Sequence, residues 1–288
     1  MSRLFEALQR SDGEGFSLEF PQPDSLANEI LKTQQAAEAA EPQVGNALQF
    51  VSATLAPPRE NRLVCFTDKE SLGAEKFRYL AVRLRQMGQS RSLKRLLITS
   101  TVPEEGKSLV SANVALTLAR KKPQSVLLVD GDMRRPVLAR EFGIQGSPGL
   151  SEWLLGSSMQ LPSILSIDPA GLCFLPAGRP PENPLELMQS GRLAELLERL
   201  TSSFDWILVD SPPVLPLGDT SVWTRLADGV LLVVREGVTR KRELQRGLEA
   251  LDKSKLLGTL LNSCTNVDHG NYYQRYSSAP SKSESQVE

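Results

Sequence analysis

Residues 96–108 read LLITSTVPEEGKS, and the stretch that follows turns to helical spacing. An apolar run of strand length, Leu96–Ser100, enters a short loop that closes on Gly106-Lys107-Ser108 and leaves on a helix expected over Ser108–Arg120. That order suits a phosphate-binding loop. Backbone N–H groups and the helix N-terminus face the phosphates, the lysine reaches the β and γ oxygens, and the serine hydroxyl is available to Mg2+. Thr101 stands where the fuller motif has its leading glycine, and Glu104 brings a carboxylate near the phosphate path. Gly-Lys-Ser alone also occurs in ordinary surface turns that open a helix. The strand before it and the helix behind it favour the phosphate-binding reading.

Two more strands end in carboxylates. Val126–Val129 runs into Asp130-Gly131-Asp132-Met133-Arg134, and Trp206–Val209 runs into Asp210-Ser211-Pro212. In a parallel sheet all strand C-termini share one edge, where ligands bind. Asp130, Asp132 and Asp210 are therefore expected beside Lys107 and Ser108. Mg2+ takes one or two carboxylates with a hydroxyl, waters and phosphate oxygens, which this set supplies. Each aspartate taken alone reads as a helix cap or turn residue; three strand-end features on one edge point to a Mg–nucleotide site.

Further apolar runs lie at Leu172–Leu175, Val230–Val234 and Leu256–Leu261, with helix-period segments at Leu72–Met87, Pro184–Leu200, Asp219–Ala227 and Arg240–Leu251. Most strands are rich in Val, Ile and Leu without alternation, as when both faces are covered. Strands alternating with helices give an α/β fold, a parallel sheet with helices on both faces. Ahead of it, residues 1–62 read as a flexible leader ending at Pro57-Pro58, with short helices at Ser2–Arg10 and Ser25–Ala40. Residues 1–60 hold nine acidic residues against four basic ones, a local charge of −5. The domain proper spans 63–265. The remaining stretch, 266–288, is polar and reads as a disordered tail that carries Tyr272, Tyr273 and Tyr276.

Composition excludes several classes. Lys plus Arg is 33 against 34 for Asp plus Glu, a formal charge of −1, so no bulk basic field holds the chain on nucleic acid or anionic lipid. The three cysteines, Cys65, Cys173 and Cys264, form no CxxC pair, and the single histidine, His269, sits in the tail. Disulfide frameworks, zinc clusters and histidine triads are thereby disfavoured. With no secretory signal and no apolar run of membrane-spanning length, a cytoplasmic protein is expected.

Taken together, the loop, the Asp-x-Asp-x-Arg strand, the Asp-Ser-Pro strand and the tyrosine tail resemble a bacterial tyrosine kinase of the capsule and exopolysaccharide type, over roughly residues 65–276. The resemblance implies the P-loop NTPase fold of Mrp/MinD-type ATPases, with ATP and Mg2+. It implies nucleotide contacts from Val102, Pro103, Glu104, Glu105, Gly106, Lys107, Ser108, Leu109 and Arg134, and metal ligation by Ser108, Asp130, Asp132 and Asp210. Lys107, Asp130 and Asp132 would be catalytic, and the tail tyrosines Tyr272, Tyr273 and Tyr276 the phosphoacceptors, modified between subunits of a ring. Family members carry a Glu-x-x-Arg-x-x-Arg helix at the subunit contact; Glu75 and Arg78 fit, and Ala81 replaces the second arginine, with Arg83 close by. Glu104 departs from the family's Pro-Gly-Glu-Gly-Lys, and Val102 stands where partitioning ATPases have a lysine. The chain looks like the split form, recruited to the inner face of the plasma membrane by a separate polysaccharide co-polymerase, with the acidic leader a candidate for that docking. The expected function is an ATP-dependent tyrosine autokinase regulating polysaccharide synthesis and export. The alternatives are a MinD-like switch ATPase and a nucleotide-binding scaffold without kinase activity.

Overall fold

Apolar segments too short for helices and free of polar alternation form the centre of the molecule. The computed structural model describes residues 48–264, apart from 59, 121–123, 157–161 and 216–217. Eight strands make one sheet: β1 (Phe50–Thr54), β2 (Arg95–Ser100), β3 (Val126–Asp130), β4 (Ile164–Asp168), β5 (Leu172–Leu175), β6 (Trp206–Asp210), β7 (Gly229–Arg235) and β8 (Leu256–Asn262). Their order across the sheet is β1-β4-β5-β3-β6-β2-β7-β8. Every neighbouring pair is parallel except β4 and β5, which run antiparallel.

Side chains alternate between the two faces, as strand geometry demands. Leu96, Ile98, Leu128 and Leu208 enter one core. Leu97, Leu127, Val129, Ile207 and Val209 enter the other. The first core is closed by α1 (Val64–Thr67), α2 (Leu72–Ser90), α3 (Lys107–Ala119) and α4 (Leu138–Glu141). The second is closed by α5 (Leu150–Leu154), α6 (Pro184–Gln189), α7 (Arg192–Ser203) and α8 (Asp219–Leu226), with α9 (Lys241–Ala250) packed against its margin.

Helix α3 is buried without interruption from Val110 to Ala119. A helix covered all round needs no amphipathic stripe, which explains its nearly continuous apolar sequence. Its one buried amide is fully used: Asn113 Oδ1 accepts from Cys65 N at 3.0 Å, while Nδ2 donates to Arg62 O at 3.1 Å and Leu109 O at 2.9 Å. The phosphate-loop helix is thus fastened to α1.

Three sequence expectations change. The helix read as continuous over Pro184–Leu200 is two helices, because Gly191 adopts φ +81° and starts α7 afresh. Strand β1 lies within the stretch read as leader, where it pairs in parallel with β4; its Phe50 and Val51 are exposed, so no buried apolar run announced it. Strand β4 itself was also unforeseen, and with β5 it makes the sheet mixed. Helices expected at Ser2–Arg10 and Ser25–Ala40, the tail at 266–288 and His269 lie outside the described residues.

Gly131 follows β3 where the chain has no room for a side chain. A Cβ there would fall 2.8 Å from the Trp223 ring and 2.9 Å from the Asp210 carbonyl oxygen, and the Gly131 carbonyl accepts from Trp223 Nε1 at 3.2 Å. We predict that Gly131→Ala costs about 1–3 kcal/mol, the usual range for overpacking, read as a lowered midpoint in urea with unchanged slope.

Candidate functional site

The loop between β2 and α3 is shaped by two residues in left-handed conformations, Glu104 at φ +67° and Gly106 at φ +90°. Glycine suits the Gly106 position because of that φ, and a Cβ there would also displace the Asn262 amide nitrogen. Glu104 occupies a conformation that costs an L-residue about 1 kcal/mol or more. The departure noted in the sequence is therefore a conformational one as well as a charge near the phosphate path.

Lys107 opens α3 and reaches back across the strand ends. Its Nζ lies 2.9 Å from Asp132 Oδ2, 3.7 Å from Asp210 Oδ2 and 3.2 Å from Ser108 Oγ. Burial works against the charged ammonium, but Asp210 and then Asp132 more than offset it, and the Lys107 pKa is raised. Asp130 and Asp210 stand directly opposite each other in the register of β3 and β6. Both are fully buried. Removal from water pushes each carboxyl's pKa up; the Asp210 charge adds to the effect at Asp130, and Lys107 pulls both back.

The three aspartates differ in what they have left to offer. Asp130 accepts from Asp132 N at 3.3 Å through Oδ1 and from Leu138 N at 3.2 Å through Oδ2, so both oxygens are engaged by backbone. Asp132 accepts from Arg135 N at 3.1 Å and holds Lys107. Asp210 accepts from Ser111 Oγ at 3.2 Å through Oδ1, whereas Oδ2 is buried with no hydrogen-bond partner. That oxygen, 3.7 Å from Lys107 Nζ on a carboxyl that the Ser108 hydroxyl also approaches, fits a hard cation. Among the described residues no three His, Cys, Asp or Glu side chains make a metal nest by themselves. A bound Mg2+ would draw its remaining ligands from water and phosphate.

A cavity of about 490 Å³ opens over these groups. Of the residues expected at the nucleotide, Pro103, Glu104, Gly106, Lys107, Ser108, Leu109, Asp132 and Arg134 line it. Val102, Glu105, Asp130 and Asp210 do not; they stand behind the wall. Arg134 is already paired, its Nε and Nη2 lying 2.7 Å and 3.0 Å from the two oxygens of Asp219, which is buried at the start of α8. Asp219, Thr239 and Asn262 escaped the sequence reading. No motif marks them, because their relation to the loop arises only when β6, β7 and β8 are assembled.

The residues expected at a subunit contact are also placed. Glu75 and Arg78 form an exposed ion pair on α2, worth little to stability in itself. Ala81 is wholly buried against the first core, which accounts for the missing arginine. Arg83 is exposed. Tyr272, Tyr273 and Tyr276 lie outside the described residues. Among the described residues no helix is long and apolar enough to cross a membrane.

No protein-family model matches the chain. Curated relatives do. The tyrosine-protein kinase YwqD of Bacillus subtilis is 32% identical over 215 residues, covering 74% of this chain and 90% of that protein. The chain belongs to the bacterial tyrosine-protein kinase family. The family member CpsD of Streptococcus agalactiae is 31% identical over 203 residues, 68% of this chain and 88% of that one. Among solved structures, the chimerical protein CapA2B2 superposes with a TM-score of 0.67 at 30% identity, over 80% of this chain and 99% of that chain. The kinase domain of the Escherichia coli tyrosine kinase ETK gives 0.65 at 27% identity, over 71% of this chain and 82% of that chain. The kinase family's fold is therefore the fold of this chain.

Two predictions follow from the site's energetics. Glu104→Gly relieves the left-handed strain and should stabilise the protein by about 1 kcal/mol, read as a higher urea midpoint. Asp130 has a folded pKa above its unfolded one, so between the two values the native state holds more protons than the unfolded chain. Its contribution to stability falls as pH rises through that window. The Asp130 contribution should accordingly lower the melting temperature of the nucleotide-free protein as pH climbs from the ordinary carboxylate range. Asp130→Asn should flatten that dependence without raising the melting temperature, because its amide NH2 replaces one of two oxygens that accept from backbone N–H groups.

Proposed function

We propose that this chain is an ATP-dependent protein-tyrosine autokinase that transfers the γ-phosphoryl group of ATP to tail tyrosines Tyr272, Tyr273 and Tyr276. The observation that carries the reading is the placement of Lys107 between carboxylates from two adjacent strand ends, over a cavity that the phosphate loop rims, in a chain of the tyrosine-kinase family. Lys107 and the loop N–H groups bind and orient the triphosphate. Ser108 Oγ and Asp210 Oδ2 would hold Mg2+, which would supply charge neutralisation for the transferred phosphoryl group. Asp132, at the cavity wall, accepts the proton of the attacking tyrosine hydroxyl. Asp130, with both oxygens tied to backbone N–H groups, orients the turn that carries Asp132. Positioning and charge neutralisation supply most of the rate.

The acceptor tail belongs to a neighbouring subunit of a homo-oligomeric ring whose contact includes Glu75 and Arg78. The biological setting we propose is control of capsule or exopolysaccharide synthesis and export. The kinase would act at the cytoplasmic face of the plasma membrane, held there by a separate membrane activator of the polysaccharide co-polymerase class. Support for the setting is the family membership; nucleic acid has no part in it.

The test is phosphotyrosine formation by the purified protein with Mg-ATP, with and without membranes containing the activator. Lys107→Met should lower the signal by at least about a hundredfold, the scale of losing one electrostatic stabiliser of transferred charge. Changing Tyr272, Tyr273 and Tyr276 together to Phe should abolish it while ATP still binds. Steady ATP hydrolysis without phosphotyrosine would replace the kinase reading with a switch ATPase, and binding without turnover would leave a scaffold.

A further inference from the structure

Glu105 is fully buried although its neighbours on both sides line the cavity. Its carboxylate is held from two directions: Oε2 accepts from Val102 N at 2.8 Å, and Oε1 accepts from the Thr239 hydroxyl. Its main-chain oxygen accepts from Asn262 Nδ2 at 2.9 Å, and the Glu104 oxygen accepts from Arg235 Nη1 at 3.3 Å. Thr239 Oγ1 in turn accepts from Arg235 N at 3.2 Å. The loop is thereby tied at Glu104 and Glu105 to the last residue of β7, to the turn between β7 and α9 and to the last residue of β8. Helix α9 presses on the same place, where a Cβ at Gly247 would lie 2.9 Å from Thr101 Cγ2. None of Arg235, Thr239 and Asn262 lines the cavity.

A buried carboxylate keeps its place only while its hydrogen bonds are made, and those to a charged group are among the strong ones. Without the Thr239 hydroxyl, Glu105 Oε1 is left unsatisfied in a dry site. The carboxylate then turns toward water and releases the Val102 N–H it was holding. We propose that Glu105 and Thr239 form a latch that fixes the spacing of the loop's backbone N–H groups, making Thr239 a positioning residue for the nucleotide phosphates. This rests on the nucleotide-binding part of the function proposed above. The loop grips the phosphates before and during transfer alike, so a loosened latch weakens binding without slowing the chemical step.

The experiment is calorimetric titration of the full chain with Mg-ADP, with KM and kcat for Mg-ATP taken from phosphotyrosine formation. Thr239→Val keeps the shape and removes only the hydroxyl. It should weaken Mg-ADP about tenfold and raise KM by a similar factor, the effect of one hydrogen bond to a charged group, with kcat within about twofold. Thr239→Ser restores the hydroxyl and should return both values to within about twofold of the original. Loss of folded protein alone would lower the binding stoichiometry and kcat while leaving affinity and KM in place. Unchanged affinity in Thr239→Val overturns the proposal, as does a Thr239→Ser variant as weak as the valine. If Thr239→Val does not fold, Thr239→Ala is read in the same titration; failure of both to fold makes Thr239 a structural residue and overturns the positioning role. A wild-type chain that binds Mg-ADP but makes no phosphotyrosine removes the kinase reading and leaves the latch testable by affinity alone.

Discussion

A lysine ammonium with most of its surface withdrawn from water must be neutralised where it stands, and much of the domain's geometry answers that requirement at Lys107. Asp132 comes from the turn after β3 and Asp210 from the end of β6, so those strands have to be neighbours, in the register that sets Asp130 against Asp210. The turn between Asp130 and Asp132 has to pass close beneath Trp223, which only Gly131 permits. Three carboxylates stand around one ammonium, and removal from water, with like charge adding to it, raises the pKa values of Asp130 and Asp210. Burying these carboxylates beside one another costs stability that the rest of the fold supplies.

Two adjacent glutamates show how finely the loop divides its residues. Glu104 faces the cavity in a left-handed conformation, and Glu105 turns inward and is enclosed. The difference is made by partners rather than by residue type: Val102 N and the Thr239 hydroxyl lie where the second carboxylate can reach them, and Asn262 seals the gap beside Gly106. The wall of the site is therefore built from behind by β7, α9 and β8, elements that contribute no group to the cavity.

Most of the architecture was legible because its signals are local. Buried strands announce themselves as unbroken Val, Ile and Leu runs, and the carboxylates at their ends were placed correctly on one edge. What escaped lacks such a signal. Strand β1 is an exposed edge strand with Phe50 and Val51 facing solvent, so its sequence resembles a linker. The break between α6 and α7 rests on one left-handed glycine inside an otherwise continuous apolar periodicity. At the site, the aspartates looked equivalent in sequence, each after a buried strand. Their difference, with Asp130 consumed by backbone N–H groups and Asp210 keeping an oxygen that faces Lys107 without a hydrogen bond, depends on how the turn at 131–138 folds back. The pairing of exposed Arg134 with buried Asp219 and the enclosure of Glu105 are likewise tertiary facts.

The strand order has a consequence for how the chain is made. Strand β2 lies between β6 and β7, and β3 between β5 and β6, so neither finds both neighbours until the polypeptide has passed residue 206. Pairings this distant in sequence are slow to form. During synthesis the apolar stretch at 96–100, among the most deeply buried in the finished protein, waits unpaired until β6 emerges at residue 206, while 126–129 meets β5 at residue 172 but has its second side uncovered until β6 follows. The strands that build the phosphate edge are thus also the segments most in need of a chaperone's shelter.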